Sequence, residues 1–423
     1  MKALFSRTTL LALTCVLSPL PGLAATPTQD VSAFYQWQAP VEAPPGTILR
    51  TEPLKASWLP ADTGAAYRIL YSSTDGMDPK RLVPVSGYML FPSGPAPKKG
   101  WPVVIWAHGT TGVADRCAPS WMGPRARDTA YLNAWLKRGF AIVASDYQGL
   151  GTPGVHPYLL YRPEAYSLLD AGRAILNQKQ FPVRNTLLIV GQSQGAGATL
   201  AASWAFPQYA PKLGIKAAVM TGLVASVHQD HPQSDDSNET RYTTVNDMDP
   251  AFAMLRLAGS DQAIHPQTDP SSLLSDKGRV MLSVSKTACL HDLFDKAEEL
   301  GIHKGKDMLA QDITAYDKDM DQYFELPNGH VTIPLFLGTG LADGMAGTKG
   351  QYDAAKALCK AGTTVQWHTY PGVTHNGAVN YSLPDSAVFV KDVLSGKPVA
   401  SSCDSLTPPG PIQSALPDIP FNK

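Results

Sequence analysis

Apolar positions along the chain come in short unbroken runs separated by longer segments of mixed character. Val103-Val104-Ile105-Trp106, Ala141-Ile142-Val143-Ala144, Leu187-Leu188-Ile189-Val190, Ala217-Ala218-Val219-Met220 and Ile333-Pro334-Leu335-Phe336-Leu337 are such runs. A strand covered on both faces needs this continuous pattern rather than an alternating one. Between and after them, residues 130–136, 165–176, 196–205 and 352–360 read as helices, and 365–370 as another strand. A last helix spans 385–394, with Pro384 just before it and Asp385 as its cap. Regular alternation of this kind predicts an α/β fold, a mostly parallel sheet flanked by helices. Upstream, 67–71 and 86–91 read as two more strands, split by Asp75-Gly76 and Asp78-Pro79, whereas 26–55 reads as proline-rich and irregular.

The alternation breaks between 223 and 330. A polar, charged stretch opens this segment, helical patterns such as 290–300 follow, and the strand pattern returns at Ile333. The expectation is an inserted, mainly helical cap (223–330) between two parts of the core (26–222 and 331–403). The tail 404–423 carries Pro408, Pro409, Pro411, Pro417 and Pro420 and is expected to be extended.

Residues 1–25 add a compartment. Lys2 and Arg7 precede an apolar stretch, 8–23, broken by Pro19 and Pro21, and Ala24 and Ala25 follow. That is the pattern of a secretory signal peptide. A membrane span needs about 20 uninterrupted apolar residues. The mature chain is therefore expected in a periplasm or outside the cell. Four cysteines remain, Cys117, Cys289, Cys359 and Cys403, and an even number in an exported chain predicts two disulfides. All three pairings are open on spacing alone. With 35 basic and 36 acidic residues and no basic block, nothing favours a nucleic-acid partner.

The chemistry is carried by Gly191-Gln192-Ser193-Gln194-Gly195. It follows a buried strand directly and opens a helix of small residues, the setting of a G-x-S-x-G nucleophile elbow. A plain Gly/Ser turn is the competing reading, and the strand–helix context disfavours it. A serine hydroxyl needs a base, and the base an orienting carboxylate, in the chain order Ser, acid, His. Asp343 and His375 satisfy that order in glycine-containing loops after two later strands. His368 lies within a strand, His330 before one, and His291 and His303 in the cap; Glu164 and Asp170 precede Ser193, and Asp385 follows His375. Oxyanion donors are expected at the Gln194 N–H and, in the turn His108-Gly109-Thr110-Thr111-Gly112, at Thr110 or Thr111. Two other groupings are read as bland. Asp317-Lys318-Asp319-Met320-Asp321 lacks the glycine and the final glutamate of a calcium loop and reads as a solvated face. His228, Asp230, His231, Asp235 and Asp236 lie in a polar stretch without metal-ligand spacing. No metal or organic cofactor is called for.

Several stretches together resemble the secretory lipase family of the fungal lipase-A type. They are 115–120 (DRCAPS), 145–149 (SDYQG), 169–174 (LDAGRA), 191–199, Cys289-Leu290, the Asp343 loop, and Tyr370-Pro371 with His375. The likeness runs from about Trp101 to Cys403. It implies a capped α/β hydrolase with Ser193, Asp343 and His375 as triad, disulfides Cys117–Cys289 and Cys359–Cys403, and a C-terminal flap near the site. One departure is the HG turn, where the fungal type carries an acidic residue, so the second oxyanion donor stays open. The expected function is that of a secreted serine carboxylic-ester hydrolase, lipase or esterase, working through an acyl-enzyme. Its partner would be a small-molecule or lipid ester, with transient contact to a lipid interface and no obligate protein partner. A peptidase or amidase on the same scaffold, or a non-catalytic binding module, are the alternatives.

Overall fold

The apolar runs do become strands, and they lie side by side. In the computed structural model, which describes residues 31–227 and 244–423, the strands are β1 (Ile48–Pro53), β2 (Thr63–Thr74), β3 (Leu82–Pro92), β4 (Trp101–Ala107), β5 (Ala141–Ser145), β6 (Val183–Gln192), β7 (Ile215–Thr221), β8 (Ser226–Val227), β9 (Glu325–Leu326), β10 (Leu335–Gly340) and β11 (Val365–Tyr370). The helices are α1 (Pro119–Met122), α2 (Ala126–Lys137), α3 (Tyr161–Asn177), α4 (Gln194–Tyr209), α5 (Pro250–Arg256), α6 (Gln262–Ile264), α7 (Asp276–Ser285), α8 (Leu290–Glu299), α9 (Thr314–Phe324), α10 (Thr348–Lys360), α11 (Gly377–Tyr381) and α12 (Leu383–Leu394). The signal-peptide expectation and the group from His228 to Asp236 fall outside the described residues.

Nine strands form one sheet in the order β1-β2-β3-β5-β4-β6-β7-β10-β11. From β5 to β11 all neighbours are parallel, and the β1-β2-β3 edge is antiparallel. The period-two alternation within each run divides the core into two faces. Val103, Ile105, Leu187 and Ile189 pack with residues of α3 and α4 on one side. Val104, Trp106, Leu188 and Val190 pack with residues of α2 and α12 on the other.

Between β7 and β10 the chain leaves the sheet and builds α5 to α9. This segment has an apolar cluster of its own, including Met254, Leu257, Met281, Leu293 and Met308. The short parallel pair β8–β9 joins its two ends.

Three local expectations are corrected. The irregular stretch before Lys55 contains β1, an edge strand held by its pairing to β2 and by Arg50, whose guanidinium donates to the carbonyls of Ala33, Phe34 and Gln36. Long-range pairing made this strand, which local composition did not announce. The last helix begins at Leu383 with Pro384 inside its first turn and Ser382 at the N-cap position. Asp385 instead accepts a hydrogen bond from the Tyr370 hydroxyl, 2.9 Å away. Asp317 does not belong to a solvated face. It is buried, pairs with the fully buried Arg256 at 3.0 Å and accepts from the Val245 N–H at 2.9 Å.

Candidate active site

The turn from β6 into α4 places Ser193. Its backbone sits at φ 58°, ψ −124°, a conformation costly for any residue with a Cβ and found where surrounding structure enforces it. Enforcement comes from close packing. A Cβ on Gly191 would lie 2.0 Å from the Gly195 carbonyl oxygen, and one on Gly195 would lie 2.0 Å from the Ala107 oxygen at the end of β4. The Ser193 N–H donates to Thr221 O on the neighbouring strand β7 at 3.0 Å. The Gln194 N–H opens α4 and so has no acceptor within the helix.

Asp343 and His375 come together. Asp343 is fully buried, and its Oδ2 accepts from His375 Nδ1 at 2.8 Å. The same carboxylate accepts from the N–H groups of Met345 (3.0 Å) and Ala346 (2.8 Å) and from Gln351 Nε2 (2.9 Å). Burial by itself would raise this carboxyl, but the His375 imidazole and these donors outweigh it and hold Asp343 below the usual carboxylate range. With Nδ1–H committed to Asp343, the lone pair of His375 lies on Nε2, which is buried and without a partner among the described residues. The ring lies against Gly222, where an added Cβ would be 2.7 Å from its Cε1 and Nδ1. Gly222 follows the same Thr221 whose carbonyl holds the Ser193 N–H. Ser193 and His375 therefore flank one backbone turn.

The HG turn lies beside the elbow. Its shape is set by Tyr147, whose hydroxyl donates to His108 O at 2.8 Å, and by Gln192, whose Oε1 would be 2.3 Å from a Cβ on Gly109. Thr110 and Thr111 are both buried. Thr110 Oγ1 is 2.9 Å from the Tyr158 hydroxyl, and Thr111 O accepts from the Leu290 N–H of α8 at 2.8 Å. Cys117 and Cys289 form a disulfide next to this contact, joining the turn's neighbourhood to the helical insertion. Cys359 and Cys403 form the second disulfide, at the root of the C-terminal tail. His108 is buried, and burial lowers its pKa; its Nδ1 lies 2.8 Å from Gly109 O, a structural contact.

Several side chains around the site escaped the sequence reading. Arg127, buried on α2, donates to Gln192 Oε1 at 2.9 Å and to Asn376 Oδ1 at 2.6 Å. It thus bridges the residue before Ser193 and the residue after His375. The Gln194 side chain donates to Glu164 Oε1 at 2.7 Å and lies 3.1 Å from His156 Nε2. Burial pushes Glu164 up to about 8 and His156 down to about 4, so His156 is neutral at neutral pH. Chain order set Glu164 aside as a triad acid but could not place it beneath Gln194. A lone arginine on a helix and a glutamate in a helix's first turn carry no motif.

This sheet order, with a strained serine between a buried strand and a small-residue helix, defines an α/β hydrolase. Residues 125–402 match the secretory lipase family, and the chain belongs to that family of carboxylic ester hydrolases. It is 23% identical to secreted triacylglycerol lipase LIP1 of Malassezia furfur, over 93% of this chain and 81% of the relative. It is also 23% identical to lipase A of Moesziomyces aphidis, over 91% of this chain and 84% of the relative. Among solved structures, Candida antarctica lipase A in its closed state superposes with a TM-score of 0.66 at 19% identity, covering 89% of this chain and 87% of that one. The rice cell wall degrading esterase LipA from Xanthomonas oryzae gives a TM-score of 0.59 at 17% identity, covering 84% of this chain and 100% of that one.

Proposed function

We propose that the chain is an exported serine hydrolase that cleaves lipid or small-molecule carboxylic esters with Ser193 as nucleophile, His375 as general base and Asp343 as its orienting acid. The observation that carries this reading is the 2.8 Å His375–Asp343 contact, made beside the Thr221-Gly222 turn that also anchors Ser193. His375 Nε2 takes the Ser193 proton as Oγ attacks the ester carbonyl. Asp343 keeps the proton on Nδ1 and stabilises the imidazolium that forms. Negative charge on the carbonyl oxygen is met by the Gln194 N–H and an N–H of Thr110 or Thr111. The alcohol leaves with the proton from His375. Water then releases the acid from the acyl-enzyme by the same path.

The helical insertion (223–330) acts as a cap over the acyl or alcohol group, and its ties to the HG turn through Cys117–Cys289 and Leu290 support that role. Secreted relatives and the N-terminal pattern support export with removal of residues 1–25, which N-terminal sequencing of the mature protein checks.

The test is a p-nitrophenyl ester series from acetate to palmitate on purified protein, with Ser193→Ala in parallel. Turnover that disappears in the variant is expected, and the chain-length optimum sorts esterase from lipase. Equal turnover by Ser193→Ala would remove Ser193 as nucleophile.

A further inference from the structure

We infer that Asn422 is a positioning residue for the His375 loop, and that the tail beyond Cys403 is a fixed brace on the base and acid loops. This rests on the triad proposed above. Neither helix nor strand holds the residues around His375, because β11 ends at Tyr370 and α11 begins at Gly377. Their backbone groups need partners from elsewhere. A local turn, the Asp343 loop and α11 meet the backbone of Val373 and the Thr374 carbonyl, and the tail supplies the partners of Gly372 and of the Thr374 N–H. Gly372 N–H donates to Gln413 Oε1 at 2.9 Å, and Gly372 O accepts from the Leu416 N–H at 2.9 Å. Asn422 lies at the centre of the contact. Its Oδ1 accepts from the Thr374 N–H at 2.6 Å, and its Nδ2 donates to Gly372 O at 2.8 Å and to Leu416 O at 2.7 Å. On the other side of His375, Asn376 Nδ2 donates to Lys423 O at 2.9 Å. The residues before and after His375 are thus both held by the tail, through Asn422 and Lys423.

The packing agrees with the hydrogen bonds. Asn422 is only 6% exposed, unusual for an asparagine in an irregular tail. Ile419 packs on the cluster of Tyr370, Val373 and Ala378. The Leu416 side chain fills the space beside Gly372, where an added Cβ would be 2.4 Å from its Cγ. The tail also reaches the acid loop, since the Gln413 N–H donates to Leu341 O at 2.8 Å. Cys359–Cys403 fixes the start of the tail. An asparagine is required because one side chain must both accept and donate. Aspartate could keep only the Thr374 contact.

The structure also offers a second way to disturb this contact. A Cβ on Gly377 would lie 2.2 Å from Asn422 Oδ1, so Gly377→Ala pushes the amide away while leaving Asn422 in the chain. The experiment measures kcat and KM on a short soluble p-nitrophenyl ester for Asn422→Ala, Gly377→Ala and the double variant. Reactive serine is counted by exhaustive titration with a fluorophosphonate, and Ser193→Ala is run alongside. Misplacing a base by a fraction of an ångström to an ångström predicts kcat per titrated serine lower by roughly 10–100-fold, with KM within about twofold. The double variant should be no worse than the worse single, because both remove one contact. Wild-type kcat per titrated serine in a folded Asn422→Ala protein overturns the proposal. So do losses that multiply in the double variant, or a loss accounted for by fewer titratable serines. Should Asn422→Ala fail to fold, Gly377→Ala decides by the same kcat criterion. If Ser193→Ala is itself active, the triad falls. If Ser193→Ala is dead and Asn422→Ala is fully active, only the brace falls.

Discussion

Ser193 stands on a turn shaped by the glycines of its own motif, whereas the loop carrying His375 is held by side chains up to 50 residues further along the chain. The elbow needs Gly191 and Gly195 because strand and helix backbones touch there, and both glycines belong to the five-residue motif. The His375 loop relies more on distant residues. Local turns and the Asp343 loop meet some of its backbone groups, Gln413, Leu416 and Asn422 meet others, and its side of the site is joined to the elbow by Arg127. Contact between neighbouring backbones shapes the Ser193 turn, while the His375 loop depends on what long-range packing brings to it.

The largest expected break in this comparison is Asp343→Asn. The neutral amide can still accept from Met345 and Ala346, so the loop should keep its shape, but it no longer enforces the Nδ1–H tautomer of His375. A fall in kcat of about 10⁴-fold is expected, with an unchanged circular dichroism spectrum. A loss below tenfold would mean that His375 is oriented chiefly by the tail.

Opening the second disulfide should act on the base side alone. Cys359→Ser with Cys403→Ser is expected to lower stability by ~2–4 kcal/mol in urea unfolding. It should also lower kcat by a smaller factor than Asn422→Ala, since the tail's hydrogen bonds remain. Gly195→Ala should act on the elbow alone. The added methyl meets a backbone oxygen that cannot rotate away, and about 1–3 kcal/mol of destabilisation is expected by the same measurement.

Glu164→Gln should have the smallest effect on turnover, and it sharpens the comparison by testing a long-range side-chain contact on the elbow, that of Glu164 with Gln194. Burial raises Glu164 to about 8 in the folded protein, against about 4.3 for an exposed glutamate. A raised carboxyl means the native state binds the proton more tightly than the unfolded chain does. Its contribution is fully present below the unfolded value and is lost as pH rises toward 8. The variant lacks this titration. Thermal melts should therefore show Glu164→Gln gaining on wild type between pH 5 and pH 8, with kcat changed by no more than a few fold. Parallel melting curves across that range would show that Glu164 is not the buried acid described.

Much of the sheet was legible because each parallel strand is covered on both faces and so must be apolar throughout. β4 to β7 lie where four such runs predict them. The edge strand β1 was not legible, because its hydrogen bonds to β2 and the reach of Arg50 to carbonyls before it compensate for a sequence containing Arg, Thr and Glu. Asp317 misled for a similar reason. A run of acids looks solvated until Arg256 is found, fully buried, to be its partner across the insertion. At the site, chain order alone selected Asp343 and His375, which the fold brings within 2.8 Å. The disulfide pairing followed from resemblance, since four cysteines leave three choices that spacing cannot rank.

The sequence by itself determined the elements whose cause is local. These are buried strands from continuous apolar runs, a strained turn from two glycines flanking a serine, and a non-helical tail from its prolines. Only the tertiary structure decided which polar groups meet. Asn422 on Thr374, Arg127 between Gln192 and Asn376, and Glu164 beneath Gln194 each join residues 30 or more positions apart. The reason is physical. A buried donor or acceptor must be satisfied, but many side chains of the right type exist, and only the packed chain brings one of them within hydrogen-bonding distance.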